Sequence, residues 1–329
     1  MYKTIKTSRV VISDEKYYIG VGQIQFEVSE LDYSNYCKLM EYTFEYRDIQ
    51  DINHFMIINH IPTEMFQNLL DKRIIVRDLE YPSSDTKEYK NALYMDLLVT
   101  NRSELQKNIK NTTFLVIGAG GIGNFIGFAL NSLEPHKIVL IDGDKVDESN
   151  LNRQFMFTYN DINKFKTDVL KEKLEERSRN VIVESCSKFI TNDFLEKIIY
   201  ENKNHSIVGI VSADDNAIPI LAPIFKKHKI PFLNIGYLND ISIIGPFYIP
   251  GISANSFFSK GIEDHQPEFN VINSYYDTPS SFGNNALSSG MAFNEILLFL
   301  SGNIKDMVSI NTRVGLTNKG LKVMKSITN

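Results

Sequence analysis

One stretch of the chain limits the possible folds more than any other. An apolar run at residues 114–118 (FLVIG) leads directly into Gly118-Ala119-Gly120-Gly121-Ile122-Gly123, which has G-x-G-x-x-G spacing between a predicted strand and a predicted helix. In that context glycines let the backbone come close to a phosphate, and the helix N-terminus offers N–H groups. A glycine-rich turn can also serve only to pack a strand against a helix. The motif alone therefore predicts local structure and leaves the ligand open.

Beyond this motif, apolar runs alternate with helical patterns along the chain. The runs cover residues 114–118, 137–142, 181–185, 206–212 and 232–236. Near-continuous apolar runs are typical of strands that helices cover on both faces. We therefore predict an α/β fold, a Rossmann-like, doubly wound, mostly parallel sheet. One helical pattern, at 217–229, contains Pro223, and we expect an interruption there.

The first 80 residues have a different pattern. Ile24, Phe26 and Val28 alternate with polar residues, which predicts a half-buried strand. Helical spacing follows at 36–44, at 51–59 and from 62 onward. Strands with three short helices predict a small winged-helix-like α+β domain at 1–80. A polar segment with Pro and Ser follows, so we divide the rest into a linker and lead-in helix at 81–111 and the α/β domain at 112–329.

Composition excludes several classes of protein. The 329 residues include two cysteines and carry a net charge of −5, which argues against a disulfide framework and against a protein that coats nucleic acid. No uncharged apolar stretch reaches membrane-spanning length, and the first residues lack the apolar core of a signal peptide. We therefore expect a cytoplasmic protein that binds neither nucleic acid nor membrane.

Charged residues follow the predicted strands at places where a ligand would lie. Asp142 ends the second strand, 24 residues after Gly118, where an acid can accept hydrogen bonds from a ribose. Arg153 and Lys166 come from different elements, and two such cations suit a triphosphate better than a nicotinamide. Asp214 follows the fourth strand, where a carboxylate could hold Mg²⁺ or cap the next helix.

Taken together, four segments resemble a known family. GAGGIGN at 118–124, IDGDKVDESNLNRQF at 141–155, INKFK at 162–166 and SADDN at 212–216 are similar to the ThiF/MoeB/HesA family of E1-like adenylating enzymes. Segments 234–251 and 284–290 resemble the MccB-type peptide-adenylating enzymes of peptide-antibiotic biosynthesis. The resemblance implies an E1-like adenylation domain at 112–329 and a peptide-recognition (clamp) domain at 1–80.

The resemblance also implies a role for individual residues. The nucleotide would be held by Gly118, Gly120, Gly121 and Gly123, with Asp142 on the ribose, Asp144 and Asn150 lining the site, and Gln154 supporting the pocket. Arg153, Lys166 and Asp214 would be catalytic, the first two on the phosphates and the third as the Mg²⁺ ligand. ATP and Mg²⁺ are the implied cofactors, and a homodimer and a short ribosomal precursor peptide are the implied partners.

In three places the sequence departs from the family pattern. Most relatives hold zinc with two Cys-x-x-Cys pairs, but residues 255–258 read NSFF and no second pair follows, so we expect no zinc. Cys37 and Cys186 are interpreted as core residues, which argues against thioester transfer. In relatives, an arginine from the segment before the first strand reaches across the dimer to the ATP phosphates. The corresponding residues 86–90 contain Lys87 and Lys90 but no arginine.

These observations predict an ATP- and Mg²⁺-dependent adenylyltransferase that activates a ribosomally made peptide. Two alternatives stay open at this point. One is activation of a carrier-protein C-terminus, as in ThiF- and MoeB-type enzymes, and the other is a non-catalytic peptide-binding partner with a degenerate nucleotide site.

Overall fold

The computed structural model describes residues 1–77, 80–99, 101–212, 217–253, 279–317, 319 and 323–326. Contacts divide the chain into two compact units, Met1–Lys107 and Asn108–Asn329. The boundary falls within the helix Arg102–Lys110, whereas the sequence-based division put the second boundary at residue 111.

The first unit contains two small antiparallel sheets. One pairs β1 with β5, and the other has the order β2–β3–β4. The strands are β1 (Tyr2–Thr4), β2 (Val10–Ser13), β3 (Lys16–Ile19), β4 (Phe26–Val28) and β5 (Ile75–Arg77). The predicted strand is confirmed for Phe26 and Val28, which lie in β4, but is wrong for Ile24, which lies in a 3-10 turn (Gly22–Ile24). Phe26 pairs with Ile19 of β3, which is fully buried.

Helices make up the rest of this unit. They are α1 (Glu30–Tyr42), α2 (Ile49–Ile58), α3 (Thr63–Asp71), α4 (Glu88–Leu98) and α5 (Arg102–Lys110). Ser29 caps α1 by accepting from the Asp32 amide at 3.1 Å, and Asp48 caps α2 by accepting from the Asp51 amide at 2.8 Å. Leu39, Ile52 and Leu69, one from each of the first three helices, are fully buried in one core.

A buried ion pair fixes the end of this unit. One nitrogen of Arg102, on α5, donates to both carboxylate oxygens of Asp96, on α4, at 2.9 and 2.8 Å. Both side chains are almost completely buried, and the guanidinium lies 4.9 Å from the Tyr81 ring centroid. The segment predicted as a linker therefore includes Tyr81 packed against these two helices.

The second unit is built on one eight-stranded sheet, ordered β13–β12–β11–β10–β9–β6–β7–β8. Strands β10, β9, β6, β7 and β8 run parallel, and β11 to β13 continue the sheet antiparallel. Their bounds are β6 (Thr112–Ile117), β7 (Lys137–Ile141), β8 (Ile182–Cys186), β9 (Ser206–Val211), β10 (Phe232–Leu238), β11 (Ile241–Tyr248), β12 (Arg313–Thr317) and β13 (Val323–Ser326). The prediction of a mostly parallel α/β sheet is confirmed.

Helices cover the parallel strands on both faces. They are α6 (Gly121–Asn131), α7 (Lys166–Glu175), α8 (Asn192–Glu201), α9 (Ala217–Lys227) and α10 (Phe282–Leu300). Leu115 and Ile117 of β6 join a core cluster with α8 and α9. Phe114 and Val116, equally buried, alternate with them and therefore point to the opposite face. This two-sided burial explains why the last four residues of β6 are all apolar.

The expected interruption at Pro223 is wrong. Helix α9 is continuous and contains this proline. Proline removes one intrahelical hydrogen bond, but Leu221 and Phe225 on either side of it are fully buried. Tertiary packing offsets the lost bond, because burying a large apolar side chain contributes about 1.5–3 kcal/mol.

Helix α10 weakens the sequence-based argument for a dimer. The apolar residues Ile296, Leu297, Phe299 and Leu300 predict a helix that needs cover, which a second chain would give. Within this chain Ile296, Leu297 and Leu300 are 0, 1 and 7% exposed and Phe299 is half-buried, because α10 packs on α6, β10 and β11. The homodimer therefore stays a prediction that rests on family resemblance alone.

Candidate active site

A cleft opens at the carboxyl ends of β6, β7 and β9. It has a volume of about 410 Å³, within the range of small-molecule sites. The residues that line it come from strands β6, β7 and β10, from helices α6, α7 and α9, and from the four loops that follow β6, β7, β8 and β9: Ile117, Gly118, Gly120, Gly121, Ile122, Ile141, Asp142, Asp144, Arg153, Gln154, Lys166, Phe189, Ile190, Ser212, Ala217, Ile220 and Tyr237. A parallel sheet places ligands at this edge, where neighbouring loops diverge.

Two glycines of the loop at the cleft are required for steric reasons. Gly118 has φ +97°, and a Cβ on it would lie 2.7 Å from the carbonyl oxygen of Ser212. A Cβ on Gly123 would lie 2.1 Å from the Gly118 carbonyl oxygen. No described side chain caps α6, whose N-cap residue is Gly120. The helix N-terminus therefore presents backbone N–H groups and a positive partial charge to the cleft.

Two carboxylates follow β7 and organise the backbone around them. Asp142 accepts from the Ala119 amide at 2.7 Å and from the Asp144 amide at 2.8 Å. Burial raises the pKa of the Asp142 carboxyl, and these two hydrogen bonds and nearby Lys166 oppose the rise. Asp142 thus ties the glycine loop to the segment after β7, and each oxygen retains a lone pair for a ligand hydroxyl.

The two predicted cations reach the cleft from different elements. Lys166 begins α7 and is 7% exposed, and its Nζ donates to Asp144 at 2.8 Å. Arg153 donates to the Ser149 carbonyl oxygen at 2.7 Å and to Asn152 at 3.0 Å. A buried ammonium costs free energy unless it is paired, and Asp144 supplies that pairing.

Most of the residues named from the sequence therefore lie in one place. Gly118, Gly120, Gly121, Asp142, Asp144, Arg153, Gln154 and Lys166 all line the cleft. Gly123 and Asn150 are not among its lining residues: the Asn150 side chain accepts from the Asp147 amide at 3.1 Å and stabilises the turn that carries Arg153. Asp214 lies outside the described residues. The roles of these residues stay predictions.

Three side chains at or beside the cleft were not predicted from the sequence: Asn124, Asn285 and Phe189. Asn124 is fully buried on α6 and donates to the Ala119 and Gly120 carbonyl oxygens, each at 3.0 Å. Asn285, from α10, is also fully buried and packs where a Cβ on Gly121 would be, its Nδ2 2.3 Å from that position. Phe189 forms part of the wall. A polar residue directly after the glycine motif was the signal for Asn124, but nothing local indicates the other two.

Gln154 has an oxygen without a partner. The side chain is 4% exposed, lines the cleft and has a buried Oε1 that receives no hydrogen bond from the described residues. An unpaired buried amide oxygen costs about 1–3 kcal/mol. A ligand with a hydrogen-bond donor could satisfy this oxygen.

The part of the chain that the structure describes contains neither a candidate metal site nor a membrane-spanning helix. Among the described residues, no three His, Cys, Asp or Glu side chains cluster in a way that could hold a metal ion. Residues 255–258, which stand where most relatives have the first pair of zinc ligands, lie outside the described residues. None of the helices described is both long and apolar enough to cross a membrane.

Solved structures with a similar fold include enzymes from Escherichia coli. The chain matches E. coli MccB in complex with MccA-N7isoASN with a TM-score of 0.85 and 23% identity, covering 99% of this chain and 96% of that one. E. coli MccB with ATP gives a TM-score of 0.84 at the same identity and coverage. PaaA gives 0.69 at 16% identity, covering 98% of each chain. At these identities the likeness establishes the fold.

Curated relatives match this chain over part of their length. Ubiquitin-like modifier-activating enzyme 1 of Homo sapiens is 25% identical over 163 residues, 46% of this chain and 15% of that protein. Adenylyltransferase and sulfurtransferase UBA4 of Scheffersomyces stipitis is 33% identical over 138 residues, 40% of this chain and 31% of that protein. The matched region thus spans less than a third of either relative.

A family model covers far more of the chain. The model described as the ThiF family matches residues 94–318, which include the glycine loop, both cations and every strand from β6 to β12. Because this match extends over more than half of the sequence and carries the cleft, the chain belongs to the ThiF family.

Proposed function

We propose that this chain is an ATP- and Mg²⁺-dependent adenylyltransferase that activates a ribosomally made precursor peptide in peptide-antibiotic biosynthesis. The observation that carries the proposal is the cleft itself, in which an uncapped helix N-terminus and two cations, Arg153 and Lys166, surround one space. This combination suits the phosphates of a nucleotide, because fixed dipoles and cations stabilise their charge.

The walls of the cleft fit the rest of the nucleotide. Asp142 is available to a ribose hydroxyl, and the apolar side chains Phe189, Ile190 and Ile220 offer a surface on which a base can lie. Gln154 Oε1 can accept from a ligand N–H or O–H. Relatives support this reading: MccB has been solved with ATP, and UBA4 is named an adenylyltransferase.

The proposed reaction is a displacement at the α-phosphorus. A carboxylate or amide oxygen of the peptide forms the new P–O bond, the bond to the β-phosphate bridging oxygen breaks, and pyrophosphate leaves with the electron pair. Arg153 and Lys166 would offset the negative charge that builds on the phosphates. Lys166 would exchange its bond with Asp144 for a phosphate oxygen.

The magnesium role depends on Asp214. Asp142 accepts from two backbone amides and Asp144 accepts from Lys166, so each of these carboxylates has another role in the cleft. We propose that Asp214 supplies the charge that holds Mg²⁺. Asp214→Asn should lower turnover by orders of magnitude and weaken the Mg²⁺ dependence of ATP binding, with the fold intact by circular dichroism. Near-normal turnover would reject this assignment.

We further propose that the first unit recognises the peptide. Strand β4 pairs with β3, and no described strand pairs with its other side. An extended peptide could add there through backbone hydrogen bonds, with α1 supplying side-chain contacts. Removing residues 1–80 should weaken peptide binding strongly and leave ATP binding nearly intact. Failure of the isolated domain to bind peptide at high micromolar concentration would favour a structural role instead.

Isotope exchange separates the candidate functions. An adenylyltransferase should exchange radiolabelled pyrophosphate into ATP only when a substrate is present. Exchange with a peptide supports our proposal, exchange with a carrier-protein C-terminus supports the ThiF- and MoeB-type alternative, and binding without exchange supports a non-catalytic partner. The homodimer, tested by light scattering at micromolar concentration, and the cytoplasmic location are also proposals.

A further inference from the structure

Asn124 is a fully buried polar side chain at the base of the cleft. It lies on α6, one residue after the glycine motif, and is 0% exposed. Its Nδ2 donates to the carbonyl oxygens of Ala119 and Gly120, each at 3.0 Å, and its Oδ1 accepts from the Met156 amide at 3.0 Å. Both donors and the acceptor of this amide are therefore used.

These three bonds join two parts of the cleft that are far apart in sequence. On one side they fix two peptide groups of the glycine loop. On the other side they hold Met156, which follows directly after the segment that bears Arg153 and Gln154. A shift of either part would move the helix N-terminus relative to Arg153.

We propose that Asn124 is a positioning residue that sets the glycine loop and the Arg153–Gln154 segment in register for the nucleotide phosphates. The proposal rests on the proposed function, because it assigns the loop and the segment to one ligand. Asparagine suits the task because its planar amide donates twice and accepts once from a single buried position. The reaction rate falls steeply when groups that position a substrate are displaced by about 1 Å.

The same helix supplies a matched control. Asn131 lies two turns further along α6, is 2% exposed and donates from Nδ2 to the Leu174 carbonyl oxygen at 3.0 Å. It is thus the same residue type, on the same element, similarly buried and also bonded to backbone, but its bond goes to α7 and not to the glycine loop or to Met156. Replacing it removes a buried hydrogen bond without touching the proposed machinery.

The test compares Asn124→Ala with Asn131→Ala in the full chain. Both should lower the melting temperature, because each loses a buried hydrogen bond and leaves backbone groups unpaired. Only Asn124→Ala should raise the Kd for ATP, by about tenfold, in calorimetric titration. Hydrogen exchange without nucleotide gives a second readout: the Met156 amide and its neighbours should exchange about tenfold faster in Asn124→Ala and unchanged in Asn131→Ala.

A second substitution keeps the test decisive if alanine prevents folding. Asn124→Asp retains the shape and the acceptor but, when ionised, turns an anion toward two carbonyl oxygens. Protonation restores one donor, so its Kd for ATP relative to the unchanged chain should improve as pH falls, and that of Asn131→Asp should not. Equal Kd and equal exchange in the two alanine variants would overturn the proposal. Faster exchange at Met156 in a chain that binds no ATP would leave the coupling standing and reject the proposed function.

Discussion

The steric role of Gly123 gives the sharpest prediction. A Cβ added here would lie 2.1 Å from the Gly118 carbonyl oxygen and 2.9 Å from its carbonyl carbon. These atoms belong to backbone that is held by the bond from the Gly118 amide to the Ile141 carbonyl oxygen at 2.8 Å. No side chain can rotate to relieve the contact, so Gly123→Ala must displace the loop or the first turn of α6.

The magnitude follows from two opposing effects. Overpacking of this kind costs about 3 kcal/mol, the upper end of the usual range, and alanine returns about 1 kcal/mol through its better helix propensity. The net loss is about 2 kcal/mol. In a domain of this size each kcal/mol lowers the melting temperature by about 2–4 °C, so Gly123→Ala should melt about 4–8 °C lower without any nucleotide.

Gly120→Ala is the matched control. A Cβ there meets only the Gln154 amide nitrogen, at 3.8 Å, which is an ordinary contact. This variant should melt within about 1 °C of the unchanged chain but bind ATP about tenfold more weakly, because the methyl group occupies the cleft. Thermal unfolding of both variants and calorimetric titration with ATP make the comparison. A Gly123→Ala chain as stable as the unchanged one would refute the steric argument.

Three other predictions follow from the described contacts. Lys166→Met should reduce the rate of pyrophosphate exchange by about a hundredfold or more. The control Lys164→Met, which removes a 53% exposed ammonium, should have little effect on this rate. Equal losses in the two variants would contradict the role of Lys166. Glu295→Gln should lower the free energy of unfolding by about 1–3 kcal/mol without changing the Kd for ATP, because the buried carboxylate accepts from the Val308 and Ser309 amides at 3.0–3.2 Å; denaturant titration measures this. Burial lowers the pKa of His136, and His205 and Lys137 add to this effect. The folded chain therefore binds fewer protons than the unfolded chain, and the free energy of unfolding falls as pH drops below about 6.5. His136→Gln should flatten this dependence of stability on pH, and an unchanged dependence would contradict the argument.

The order of elements could be predicted from sequence because it depends on local pattern. Apolar runs at 114–118 and 206–212 became β6 and β9, and the glycine motif became the turn into α6. Asp142, Arg153 and Lys166 lie in one cleft, because each follows the carboxyl end of a parallel strand or begins the next helix. Periodicity and turn chemistry act over a few residues, and a single sequence records them directly.

What the sequence alone could not determine is which distant residues meet. Asn285 reaches Gly121 from a helix 164 residues away, and α10 is buried by its own sheet rather than by a second chain. The continuity of α9 through Pro223 was decided in the same way, by burial that outweighs local propensity. The sequence by itself determined the strands, the glycine turn and the charged residues after them. Only the tertiary structure decided the packing of Asn285 on Gly121 and the hydrogen bonds of Asn124, because burial and long-range hydrogen bonding depend on residues that are distant in the sequence.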